Sequence, residues 1–119
     1  ILGPIRDKTQ VELARTDAIF LGLDPPVKPS GNHEGTPGIV IVGPVGVVHL
    51  QQGVIRANRH LHMSATDAER WGLTDNSTIR VRIANNEKVT VFEDVQLRVR
   101  PTYATEMHLD TDDAAQPAA

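Results

Sequence analysis

The chain of 119 residues has no cysteine, and its only aromatic rings besides histidine belong to Phe20, Trp71, Phe92 and Tyr103. Without cysteine it has no disulfide, no thiolate metal site and no cysteine nucleophile; histidines and carboxylates are left as candidate zinc ligands. With aromatics at 3%, any core must be aliphatic, built from valine, isoleucine and leucine. Excess positive charge is also missing: 12 Lys and Arg against 15 Asp and Glu give a formal charge of −3 and a pI near 5.9. Such a balance supplies no basic field for nucleic acid. No apolar run is long enough to span a bilayer as a helix, so no membrane partner is expected.

What is present reads as short elements. The length suits one ordinary domain or two small interlocked ones. Val11 to Leu23 predicts a helix, with Leu13, Ala14, Ala18 and Leu21 on one face and Gly22 near its end. Residues 24–38 hold four prolines and three glycines and predict an irregular loop. Ile39–Val42, Val45–Leu50 and Val54–His60 read as strands, the first two joined at Gly43-Pro44. Ser64, with Asp67 three residues later, predicts a capped helix ending at Trp71-Gly72. Thr78–Ile83, Val89–Phe92 and Val95–Arg100 alternate as further strands. Many short strands and two short helices argue for a mainly β fold of small barrels with helical caps. A repeat points the same way: Thr16-Asp17-Ala18-x-x-x-Gly22-Leu23 recurs fifty residues later as Thr66-Asp67-Ala68-x-x-x-Gly72-Leu73. Two related units are expected, with a boundary near Asn58.

The chemistry concentrates in two runs, Arg59-His60-Leu61-His62-Met63-Ser64 and Glu106-Met107-His108-Leu109-Asp110. In a strand alternate side chains share a face, so His60 and His62 point the same way, about 7 Å apart along the backbone. Both imidazoles can lean onto one metal ion. His108 supplies a third nitrogen and leaves a position open for water or substrate, as catalytic zinc requires. Glu106, two residues before His108, shares its face in extended backbone. Either Glu106 or Asp110 could orient a ligand imidazole, or serve as a solvated acid or helix cap. His33 and His49 have no partner at ligand spacing and are left out of the metal site.

Those runs, together with Gly3-Pro4-Ile5-Arg6, Thr9-Gln10-Val11-Glu12, Arg15-Thr16-Asp17-Ala18, Gly35-Thr36-Pro37-Gly38 and Asp110-Thr111-Asp112, resemble the phosphate propanoyltransferases. These are zinc-dependent phosphotransacylases associated with bacterial microcompartments. The resemblance runs through most of the chain. It implies transfer of a propanoyl or acetyl group between coenzyme A and inorganic phosphate, with two zinc ions per complete site. It implies two small related β-barrels with short capping helices: residues 1–57 in one, with helix 11–23, and residues 58–119 in the other. The second barrel would be completed by an N-terminal segment that also carries another H-x-H pair. Ile1 therefore reads as an internal start, and one complete zinc site is expected in this chain, at His60, His62 and His108. Acyl-CoA, coenzyme A, phosphate, the upstream segment and a second copy in a dimer are the implied partners. The implied location is the bacterial cytoplasm, in the microcompartment lumen.

By the same resemblance Glu12 is matched to the carboxylate of the other zinc, although a Glu there would also suit the first turn of a helix. Arg6 is matched to the phosphate-contacting arginine, whose planar guanidinium can grip two oxygens at once. In the proline-rich loop, Ser30 or backbone N–H groups could hold phosphate or pantetheine, or form a structural turn. Ile19 and Phe20 could face the adenine of coenzyme A, but related chains often carry an aromatic at the place of Ile19, and core packing of the helix is the competing reading. A rival function remains open. Ala68-x-x-x-Gly72-Leu73-Thr74-Asp75-Asn76-x-x-Ile79-x-Val81 resembles the helix–turn–strand signature of double-psi β-barrels, which would make this a non-catalytic binding or assembly module. That reading leaves the two histidine runs without a role, and it predicts no metal.

Overall fold

Val54 and Ile55 are fully buried, and the first part of the chain is organised around the strand that carries them. The computed structural model describes residues 1–117 and divides into two compact units, Ile1–Ala57 and Asn58–Ala119. In the first unit the order is β1 (Val11–Glu12), α1 (Arg15–Phe20), β2 (Val27–Lys28), β3 (Ile39–Val42), β4 (Val47–Leu50) and β5 (Val54–Ala57). β5 is central: β1 pairs with Val54 and Ile55, and β2 with Arg56 and Ala57, both in parallel. β3 and β4 form an antiparallel hairpin closed by Gly43 N–H donating to Gly46 O at 2.9 Å.

The helix expected from Val11 to Leu23 is therefore shorter, and its first residues belong to a strand. Val11 N–H donates to Gly53 O and Leu13 N–H to Ile55 O, so pairing with β5 overrides a weak local helix preference. Gly53 permits this close approach. Its φ is +113°, and a Cβ there would lie 2.8 Å from Thr9 O.

The second unit contains β6 (His60–Ser64), α2 (Ala65–Trp71), β7 (Thr78–Ala84), β8 (Val89–Arg100), β9 (Glu106–His108) and α3 (Thr111–Ala115). Its sheet has the order β7-β8-β6-β9, with β6 parallel to β8 and antiparallel to β9. The sheet alternates sides as a strand must: Met63 and Leu97 are buried with Ala68, and Leu61, Leu73, Ile79 and Val99 pack against them. Each fully buried side chain of this size stabilises by roughly 1.5–3 kcal/mol. Ser64 Oγ accepts from Asp67 N–H at 3.1 Å, as its capping pattern predicts. The segments Val89–Phe92 and Val95–Arg100 are one strand rather than two. Glu93 and Asp94 are accommodated by a register shift opposite Ile79–Val81, with Asp94 at φ 55°.

The repeated phrase has the same local form in both units. Ala18 and Ala68 are buried, Gly22 and Gly72 have φ of 73° and 65°, and Leu23 and Leu73 N–H donate to Ala18 O and Ala68 O. Mainly β with short helices describes residues 1–117. Among the described residues the strands form sheets of three, two and four, and none closes on itself.

Candidate metal and anion sites

β6 lies between β8 and β9, and its outward face gathers the histidines. Leu61 and Met63 point inward, which turns His60 and His62 to the opposite side. Antiparallel pairing sets His60 beside His108 and His62 beside Glu106. The chain after β9 is held by α3: Asp110 caps it by accepting from Asp113 N–H at 2.8 Å, and Arg59 binds both Asp113 oxygens at 3.0 Å. That bidentate bond is the main reason the Arg59 pKa rises above its ordinary value.

One ligand atom from each of His60, His62 and His108 lies within 4.8 Å of the others. Among the described residues this is the one such group of His, Asp or Glu side chains. Tetrahedral zinc with bonds near 2.0–2.1 Å needs its nitrogens about 3.4 Å apart, so the three ligand atoms would draw closer on binding an ion. The tautomers fit as well. His60 Nδ1–H donates to Asn58 O at 2.9 Å, leaving Nε2 with its lone pair outward. His108 Nε2–H donates to Glu106 Oε1 at 3.1 Å and leaves Nδ1 as its lone-pair nitrogen. Burial, followed by the proximity of His108 and His60, holds the His62 pKa below its ordinary 6.5, which favours the neutral, ligating form. The donor set suits zinc.

Two further side chains at this face were not singled out by sequence. Arg98 pairs in register with His62 and lies close enough to depress its pKa, yet among the described residues no hydrogen bond or ion pair engages this half-buried residue. Tyr103 stacks on His62 with ring centroids 4.1 Å apart and planes 12° from parallel.

The other candidates lie in the first unit. Arg6 is exposed, and its Nη1 donates to Ser30 Oγ at 2.8 Å. Gln10 organises the rest: its Oε1 accepts from Gly31 N–H at 2.7 Å and from His33 Nε2–H at 3.1 Å. That fixes the amide so that its Nε2 donates to Glu12 Oε1 at 2.8 Å and to Ser30 Oγ at 3.1 Å. Ser30 Oγ thus accepts twice, and its own proton is left to point at another acceptor. Lys8, Ser30, Gly31, His33 and Gln52 line an open polar cavity of about 690 Å³ beside it. His33, read in sequence as a loop histidine without a partner, is buried against Gln10. Glu12 is exposed on β1 rather than in a first helical turn, which removes the helix-dipole reading of this residue. Ile19 and Phe20 are 62% and 89% exposed, so neither is helix core; Ala18 takes that place.

A family model described as phosphate propanoyltransferase matches residues 1–118. A phosphate propanoyltransferase of Thermotoga maritima is 50% identical over 114 residues, which cover 96% of this chain and 54% of that protein. Those of Lachnoclostridium phytofermentans and Listeria monocytogenes are 47% and 45% identical, each over 96% of this chain and 53% of their own length. The chain spans about half the length of these curated relatives.

Proposed function

Since the chain belongs to the phosphate propanoyltransferase family, we propose that it serves acyl transfer between coenzyme A and phosphate, with zinc held by His60, His62 and His108. The observation that carries this reading is the cluster of three imidazoles with two of their outer nitrogens already committed to Asn58 and Glu106. Zinc bound there supplies a Lewis acid and a strong local positive charge. Three neutral imidazoles do not offset that charge, and Arg98 adds to it, so an anion is the favoured fourth partner. Phosphate meets that requirement. One of its oxygens attacks the thioester carbonyl carbon, the C–S bond breaks, and coenzyme A leaves as a thiolate. This chain contributes no cysteine for an acyl-enzyme, which fits direct attack.

In the first unit, Arg6 grips phosphate oxygens and the Ser30 hydroxyl donates to a phosphate or pantetheine oxygen. Glu12 is the carboxylate of a second zinc, and Ile19 offers apolar surface to coenzyme A. Propanoyl-CoA and acetyl-CoA are the substrates of this reading. A dimer of double-barrel chains in the lumen of a bacterial microcompartment belongs to it too. The sequence resemblance supports these finer points. Among the described residues no helix is long and apolar enough to cross a membrane.

Metal analysis is the direct test. The purified protein is expected to hold zinc, and the double variant His60→Ala, His62→Ala to lose the ion bound by this cluster. Full zinc occupancy in the double variant would refute the assignment. Absence of metal from a folded, zinc-supplied native chain would favour the non-catalytic barrel module. Phosphate-dependent release of coenzyme A from propanoyl-CoA is readable with a thiol-reactive dye, because the chain adds no cysteine background.

A further inference from the structure

The three imidazoles are not held alike. His60 is oriented through Nδ1 by Asn58 O, and His108 through Nε2 by Glu106. Among the described residues His62 makes no hydrogen bond through either ring nitrogen, although a ligating histidine ordinarily has its second nitrogen fixed by a partner. What touches its ring face is Tyr103, with centroids 4.1 Å apart and planes 12° from parallel. The tilted neighbours His60 and His108 lie at 42° and 44° to the same ring. Stacking occupies the face of an imidazole and leaves its nitrogen edge clear, and a metal binds in the plane of the ring.

Tyr103 is itself well placed to act as a fixed wall. It closes the turn Arg100-Pro101-Thr102-Tyr103, with its N–H donating to Arg100 O at 3.2 Å. Proline at the second position presets that turn. The turn leaves β8, which pairs with β6 along the stretch that includes His62, and the following segment returns as β9 with His108. The ring is therefore anchored on the connection between two strands of the sheet that carries the three histidines.

We propose that Tyr103 is the positioning residue of His62, setting by ring stacking the orientation that hydrogen bonds set for His60 and His108. This rests on the zinc reading of the cluster. The phenolic oxygen has no part in it, so the aromatic face is the feature that matters and phenylalanine should serve as well.

Cobalt(II), titrated into metal-free protein, reports both affinity and ligand geometry through its visible absorption. Tyr103→Phe is expected to match the native protein in both. Tyr103→Leu, which keeps apolar bulk but no planar face, should bind about tenfold more weakly, the lower end of losses seen for such supporting residues, with an altered spectrum. Native affinity and spectrum in the leucine variant would overturn the proposal, as would a phenylalanine variant as weak as leucine. Failure of the native protein itself to bind cobalt would overturn the zinc reading and this inference with it, a distinct outcome. Should leucine unfold the protein, the native chain still decides. The carbon-bound His62 ring protons must show the upfield shift of a stacked aromatic neighbour, and their lack of it in solution would overturn the stacking.

Discussion

Arg98, half-buried directly beside His62, has no hydrogen bond or ion pair among the described residues, which leaves its donors to water. Arg80 on β7 and Arg100 on β8 are instead paired with Glu93 and Asp75. The difference makes Arg98 the residue to test for anion binding. A charge-assisted hydrogen bond contributes about 1.5–3 kcal/mol, so Arg98→Gln should raise the phosphate KM roughly 10- to 100-fold while zinc content stays native. Arg6→Lys should act in the same direction with the fold intact, because charge remains but the two-pronged grip is lost. Unchanged dependence of rate on phosphate in both variants would remove the guanidinium roles. Sequence made the three histidines visible, since H-x-H in a strand has one geometric consequence. It could not distinguish Arg98 from its neighbours, because that depends on pairing between β6 and β8, far apart along the chain. Tyr103 left one faint signal: it is the only tyrosine, five residues before His108.

At the scale of elements, long-range pairing decided what local pattern could not. Ser64 and Gly72 bound α2 where their chemistry predicts, since a cap acts within one turn. Val11 and Glu12 went instead to the strand partner offered by β5. The helix-cap reading of Asp110 is realised in α3, whose span could not be read because a five-residue helix has little periodicity. Asp75 ties elements together in a way that can be measured. Its carboxylate accepts from Val99 N–H at 2.8 Å and from Arg100 Nη1 at 3.1 Å, joining the loop before β7 to the end of β8. The backbone bond from Val99, foremost, holds its pKa below the ordinary 3.8. A carboxylate depressed in the folded state adds stability above its unfolded pKa and loses it as pH falls through the folded value. Asp75→Asn should therefore flatten the decline of stability below about pH 4. Urea unfolding across that range would show it, and an acid limb identical to that of the native protein would contradict it.

On the scale of the whole molecule, the division at Ala57–Asn58 has a consequence for the metal site. All three imidazoles lie in Asn58–Ala119, and so do the groups that orient them: Asn58 O, Glu106 and the Tyr103 ring. The buried cluster of Met63, Ala68 and Leu97 lies in the same unit. A unit of this size is marginal on hydrophobic burial alone, and domains so small commonly depend on a metal or a partner. An ion that binds the folded form and not the unfolded one adds stability by mass action, about 2.7 kcal/mol when its free concentration is a hundred times Kd. We therefore expect a fragment of residues 58–119 to unfold at a higher temperature in zinc than in chelator. His60→Ala should abolish the difference, while Arg6 and Glu12 lie outside the fragment altogether. Calorimetry of the fragment, with and without zinc, measures this. A folded fragment whose Tm ignores zinc would mean that residues beyond this unit are needed to hold the ion.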